Sequence, residues 1–219
     1  MPGRFALTYT KSDIEQYFNI EIPFDLRSRY NISPTQNCLI LCTEDKIPQL
    51  MHWGFSPFWN KDNEFKELIN ARSESVQEKP MFRQAFKQHR CVVIASGYYE
   101  WQETKIGKQT IKTPFYISYK DNQPLILAAI WDRCEKENGI VQTGFAFLTT
   151  SPNAFLKKYH ARMPVIIDSQ KMALWLDSKA LPTQLEKLFK PIPAKNFQAK
   201  EVSTLVNNPK NDKPGCLEK

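Results

Sequence analysis

Long apolar runs are missing from this chain. The longest, Leu125-Ile126-Leu127-Ala128-Ala129-Ile130-Trp131, stops well short of the ~20 residues a membrane helix needs, so no membrane contact is expected. The opening Met-Pro-Gly-Arg-Phe-Ala-Leu-Thr-Tyr-Thr has no apolar h-region, which argues against a secretory signal. Histidine is scarce: His52, His89 and His160 lie far apart. The five cysteines (Cys38, Cys42, Cys91, Cys134, Cys216) are an odd, scattered set without a Cys-x-x-Cys pair. No structural zinc site is expected from these spacings, although ligands distant in sequence do converge in folds, and a reducing cytoplasm fits best. Glycine is also scarce, 7 against 15 prolines, which predicts stiff connections rather than flexible linkers. There is no internal repeat and no low-complexity stretch.

What remains is an ordinary globular composition. The 219 residues are 42% hydrophobic and 24% charged, enough for one large domain or two small ones with a sizeable core. Lys+Arg number 30 against 23 Asp+Glu, a formal charge of +7. That excess favours a polyanionic partner such as nucleic acid, but alone it is a weak sign.

Ser12-Asp13-Ile14-Glu15 reads as a capping box that opens a helix through Phe18. Strand-like runs rich in β-branched and aromatic residues follow at Cys38–Cys42, Gln49–Trp53, Cys91–Ala95, Phe115–Tyr119, Leu125–Trp131 and Phe145–Thr149. Lys120-Asp121-Asn122-Gln123-Pro124 predicts a hairpin turn between two of them. Helical spacing is found at Met81–Gln88, Ser169–Leu176 and Thr183–Phe189. Strands outnumber helices without a βαβ rhythm, so the expected fold is α+β: one domain over residues 1–206, with a curved, largely antiparallel, barrel-like sheet and peripheral helices. The polar, proline-containing stretch 207–219 is expected to be a flexible tail.

Four segments are unusual for scaffolding. Asn70-Ala71-Arg72-Ser73-Glu74 is a polar cluster directly after an apolar pair, and on its own it reads best as a strand end with an N-cap serine. In Gly97-Tyr98-Tyr99-Glu100-Trp101 a carboxylate sits between aromatics, either as a surface alternation residue or as a desolvated acid with a raised pKa. His160 lies beside Arg162 in Tyr159-His160-Ala161-Arg162-Met163-Pro164, although a lone histidine is more often structural than catalytic. The fourth, Met51-His52-Trp53-Gly54-Phe55-Ser56-Pro57-Phe58-Trp59, has the aromatic density of a core. Its Gly54 and Pro57 break regular structure, which would expose rings as a stacking platform for unpaired bases. Arg4, Arg27, Arg29, Arg72 and Arg162 interleave with these segments. Singly each reads as a solvated charge; together they permit a groove that tracks phosphates.

Met-x-Gly-Arg-Phe, Arg29-Tyr30-Asn31-Ile32-Ser33-Pro34, the Trp53-Gly54 to Trp59 stretch, Ile69-Asn70-Ala71-Arg72-x-Glu74, Gly97-Tyr98-Tyr99-Glu100-Trp101 and His160-x-Arg162-Met163-Pro164 occur in this order. The series resembles the SOS response-associated peptidase (SRAP) family, the abasic-site processing proteins, from residue 1 to about Leu176. The resemblance implies binding of single-stranded DNA at abasic sites and a covalent bond to the ring-opened sugar. The nucleophile would be the residue after the initiator methionine, exposed by self-removal of Met1. It further implies that Asn70 and Arg72 hold the terminus and a phosphate, that Glu100 positions or deprotonates the amine, and that His160 moves protons at the sugar. Arg4, Pro34, Trp53, Trp59, Thr149 and Arg162 would meet the DNA. No cofactor and no metal are implied, and a monomer in the cytoplasm, nucleoid-associated in a bacterium, is expected.

Where this resemblance demands cysteine, the chain has Pro2. Without sulfur no thiazolidine ring closes on the aldehyde. Freed of Met1, Pro2 offers a secondary amine that forms a Schiff base and permits β-elimination. With Met1 retained, its nitrogen is an amide and the domain would bind single-stranded DNA without covalent chemistry.

Overall fold

The computed structural model describes residues 2–42, 48–62, 64–137 and 139–219. Met1, and with it the expectation of its removal, lies outside the described residues. The strands are β1 (Phe5–Leu7), β2 (Arg29–Ile32), β3 (Asn37–Cys42), β4 (Pro48–Trp53), β5 (Asn70–Arg72), β6 (Arg90–Ala95), β7 (Gly97–Ile106), β8 (Gln109–Tyr119), β9 (Leu125–Glu135), β10 (Val141–Thr150), β11 (Met163–Pro164) and β12 (Phe197–Glu201). Among the described residues four short α-helices lie outside them: α1 (Lys11–Phe18), α2 (Arg83–Gln88), α3 (Met172–Leu176) and α4 (Pro182–Glu186). No helix among the described residues is long and apolar enough to cross a membrane.

The second sheet explains the sequence's apolar runs. Strands β10, β4, β3, β6 and β9 are joined in that order, and β9 pairs back to β10, so the sheet closes into a ring. A closed ring has no free edge and buries its inner face completely, which is why β6 and the first half of β9 read as continuous Val/Ile/Leu/Ala. All its pairings are antiparallel except β10 on β4, and β5 also runs parallel to β10. Gly144 permits the parallel approach: a Cβ there would stand 2.0 Å from Gly54 O. The fold is the expected α+β one, with a barrel-like core and few helices.

The other sheet, in the order β12-β8-β7-β1-β2, lies against the ring. Phe5 of β1 inserts into the ring's aromatic cluster, its centroid 5.5 Å from Trp53 and 5.7 Å from Phe147, both edge-on. That anchor fixes where the chain begins. Arg90, fully buried, spends its guanidinium on the carbonyl oxygens of Phe86, Lys87, Trp175 and Asp177, tying the ends of α2 and α3 to the ring.

Three local expectations are corrected. Helix α1 is capped by Thr10, not Ser12: Thr10 Oγ1 accepts from Asp13 N while Asp13 accepts from Thr10 N. The turn at 120–124 forms, with Asn122 at φ 55°, but it joins strands of different sheets, since β8 pairs with β7 and β12 while β9 pairs with β6 and β10. Residues 207–219 are not loose. Asp212 accepts from Tyr30 N and Asn31 N, Cys216 is fully buried, and the segment packs on β2 and the chain start.

Candidate active site

Pro2, three residues before β1, is buried, and its carbonyl oxygen accepts a hydrogen bond from Asn70 Nδ2 at 3.2 Å. Asn70 opens β5, whose parallel register sets Asn70 opposite Phe147 and Arg72 opposite Thr149. Asn70 Oδ1 is buried and has no hydrogen-bond partner among the described residues, an acceptor held ready beside the chain start. Glu100 comes from β7, which pairs antiparallel with β1 through Phe5–Tyr98 and Ala6–Gly97, and Tyr99 N donates to Arg4 O at 2.9 Å. That register, continued toward the chain start, brings Glu100 alongside it. Glu100 is buried, and burial pushes its carboxyl above the ordinary glutamate value, against the pull of nearby His160.

His160 follows a 3-10 turn at Leu156–Lys158 that is fastened to β7 and β8: Gln102 Nε2 donates to Lys158 O at 3.2 Å, and Tyr159 packs on Phe115 with centroids 4.9 Å apart. Arg162 N donates to His160 Nδ1 at 3.0 Å, which fixes the orientation of the ring. The imidazole opens on a cleft of about 710 Å³ lined by Trp101, Glu103, Ser151, Lys157 and Lys158. Asn70 thus holds Pro2, while Glu100 feels the charge of His160, whose cleft mixes Lys157 and Lys158 with Glu103. The set suits holding a chain-terminal nucleophile and moving protons beside it.

The expected DNA-contacting residues divide. Arg72 is exposed, and its guanidinium makes no hydrogen bond or ion pair with a described residue, although Glu74 lies within reach of its field. Trp59 is 38% exposed and packs edge-on against Phe65 at 5.4 Å beside exposed Phe58, on a loop closed by the Phe55–Leu68 bridge between β4 and β5. Phe65 went unnoticed in the sequence because a single aromatic among charges carries no pattern. Pro34 lies half-buried in the β2–β3 turn.

Trp53, in contrast, is 0% exposed and donates its indole N–H to Ile69 O, so it is a core ring and stacks no base. Thr149 is fully buried and bonded to Ala71 O. Arg162 is spent on Glu74 as a bidentate pair, with Nη2–Oε2 at 2.7 Å, and on Thr149 O; this pairing holds the Glu74 carboxyl below its ordinary value. Arg4 donates to Asn31 Oδ1, Val206 O and Asn207 O. These residues build the frame of the cleft rather than its surface.

A closed β-ring flanked by a second sheet, with Asn70 bonded to Pro2 and Glu100 buried on neighbouring β7, frames the candidate site. A family model described as SOS response associated peptidase (SRAP) matches residues 1–209, and the chain belongs to that family. It is similar to abasic site processing protein YoqW of Bacillus subtilis (34% identical, covering 100% of this chain and 99% of that one). It is also similar to abasic site processing protein YedK of Escherichia coli (30%, covering 96% of each). Among solved structures, a Bacteroides thetaiotaomicron protein shares the fold with a TM-score of 0.86 at 23% identity, covering 99% of this chain and 98% of that one.

Proposed function

We propose that this chain recognises abasic sites in single-stranded DNA and acts on them through the secondary amine of Pro2 once Met1 has been hydrolysed away. The observation that carries the reading is the Asn70–Pro2 bond, with buried Glu100 brought alongside by the β1–β7 register. Family membership and the names of the relatives support the substrate.

The unprotonated amine adds to the C1 aldehyde of the ring-opened sugar, and loss of water gives an iminium. That cation acidifies C2. Transfer of the C2 proton to a base, with expulsion of the 3′ phosphate, breaks the strand; water then hydrolyses the adduct and restores Pro2. An α-amino group titrates ordinarily near ~7.7–8.0, and proline's secondary amine is somewhat more basic, so a carboxylate beside it must take the proton rather than merely hold it. Glu100, whose burial favours its neutral form, suits that task. His160 is the second proton carrier. One copy of the chain supplies every group named, and the reaction needs no metal or cofactor. A cytoplasmic setting, at the nucleoid in a bacterium, follows from the substrate.

The test is reductive trapping. Incubated with a single-stranded abasic oligonucleotide and borohydride, the protein is expected to form a stable adduct, and without reductant to cut the strand 3′ to the lesion. Intact mass should show Met1 removed. Salt-sensitive binding without any adduct would leave a non-covalent single-strand binder, and absence of both would overturn the reading.

Arg72 offers a graded check. Replacing it with Ala should weaken binding several-fold and reduce the salt slope of log K by about 0.7, the share of one phosphate contact on a single strand. An unchanged slope in a fluorescence titration would remove Arg72 from the DNA path.

A further inference from the structure

We propose that residues 203–217 form a strap that positions the chain start and Glu100, with Asn31 as its hub; this rests on the reading of Pro2 and Glu100 given above. Asn31 belongs to the Arg29–Pro34 motif, to which the proposed chemistry assigns no role. It is fully buried. Its Oδ1 accepts from Arg4 Nη1 at 2.9 Å, and its Nδ2 donates to Val206 O, Asn208 O and Asn211 O at 3.2, 3.1 and 2.8 Å. Arg4 reaches the same segment directly, through Val206 O at 2.6 Å and Asn207 O at 3.2 Å. Asp212 closes the far side by accepting from Tyr30 N at 2.6 Å and Asn31 N at 3.1 Å and by pairing with Arg29.

The strap touches both elements that carry the reacting groups. Arg4 is two residues beyond Pro2, and Trp101 is the residue after Glu100. Trp101 Nε1 donates to Asn207 Oδ1 at 2.8 Å, and Trp101 itself walls the cleft. Val202, Val206 and Cys216 form a small second core with Ala6 of β1 and Tyr99 of β7. Side chains alternate along a strand, so Ala6 and Tyr99 point away from the side that Phe5 and Tyr98 pack against. The strap therefore covers the backs of the two strands whose fronts bear the site. Carbonyl groups supply most of the grip on Asn31 and Arg4, and the Asn207 side chain adds the bond to Trp101.

Asn207 is exposed, so Asn207→Ala removes the Trp101 bond without disturbing the core, whereas Asn31→Ala removes the hub. For Asn207→Ala the single-turnover trapping rate at saturating abasic DNA is expected to fall about tenfold, the scale of one lost hydrogen bond, and for Asn31→Ala, which loses four, at least as far. The half-saturating DNA concentration should change by less than about twofold, since the strap acts on positioning rather than on uniform binding. Asn207→Asp keeps the acceptor and should retain the wild-type rate.

Hydrogen exchange supplies a readout independent of the chemistry. The Tyr99 amide, bonded to Arg4 O, should exchange about tenfold faster in Asn207→Ala, and the Val93 amide in the ring should not change. Unchanged exchange at Tyr99 overturns the strap whether or not the wild type forms an adduct. Faster exchange with an unchanged trapping rate overturns it too, because the segment then only holds the fold. A wild type that forms no adduct sinks the Pro2 reading instead, and exchange alone then judges the strap. Should Asn31→Ala fail to fold, Asn207→Ala decides.

Discussion

Replacing Pro2 with cysteine is expected to turn a reversible adduct, visible only after reduction, into one that survives denaturation and heat unaided. The difference lies in the fate of the iminium. Proline's nitrogen has no hydrogen left once the iminium forms, so its positive charge persists at every pH and drives electrons from C2 toward nitrogen, which favours elimination. A cysteine amine forms the same bond, but its thiolate stands next to the electrophilic carbon and closes a five-membered ring. Intramolecular attack of this kind enjoys effective concentrations on the order of 10⁵ M or more, so the ring outruns elimination. Sulfur and nitrogen then both hold C1, the C2 proton loses its acidity and the strand stays whole.

The side chain should fit, because cysteine is smaller than the pyrrolidine ring it replaces and an added Cβ at neighbouring Gly3 would meet nothing within 4 Å. Denaturing gels of labelled abasic oligonucleotide without reductant read the outcome. Wild type should give almost no shifted band and Pro2→Cys should shift most of the DNA. A folded Pro2→Cys protein with no stable band would show that the chain start does not meet the sugar at all.

Legibility in the sequence followed the physics of each segment. The ring strands could be read because a surface closed on itself demands apolar residues, and runs such as Cys91–Ala95 have no other explanation. The β7–β8 hairpin was not legible past Trp101. From Glu103 to Lys112 every residue is exposed, so neither face has an apolar alternation to detect. Trp53 was misread as a DNA-stacking ring although its own strand held the correction. With period two, Met51 and Trp53 share one face of β4, and both are buried.

The segment beyond 206 was misread for another reason. Its polarity and prolines are those of a loose tail, but its order comes from its backbone carbonyls meeting Asn31 and Arg4, and carbonyls leave no trace in composition. At the proposed site, the motif order singled out Asn70, Glu100 and His160 as candidates. It did not separate residues that face the cleft from those that brace it, as Arg162 and Thr149 do. That distinction depends on partners distant in sequence, such as Glu74 for Arg162.

Glu100→Gln should cost activity and add stability at once. Glutamine keeps the shape and loses the exchangeable proton, so the amine and the sugar lose one proton carrier; a loss on the order of 10²-fold in trapping rate is expected, the lower bound for a positioned general acid–base group. The stability change has the opposite sign. Burial raises the folded-state pKa of Glu100 above its unfolded value, so between the two the folded protein binds more protons than the unfolded chain. The carboxyl therefore supports folding below the unfolded pKa, and that support is lost as pH climbs through the folded one, where a charge must be held in a dry pocket. Glutamine has no such charge to bury. Thermal unfolding of Glu100→Gln should thus show a higher Tm than wild type near neutrality, with the gap closing as pH falls below the glutamate range. Wild-type Tm should decline over the same rise in pH. Equal Tm values across the whole range would mean that Glu100 is stabilised as fully by its surroundings as by water, and an acid so comfortable as a carboxylate would have no drive to take a proton from the amine.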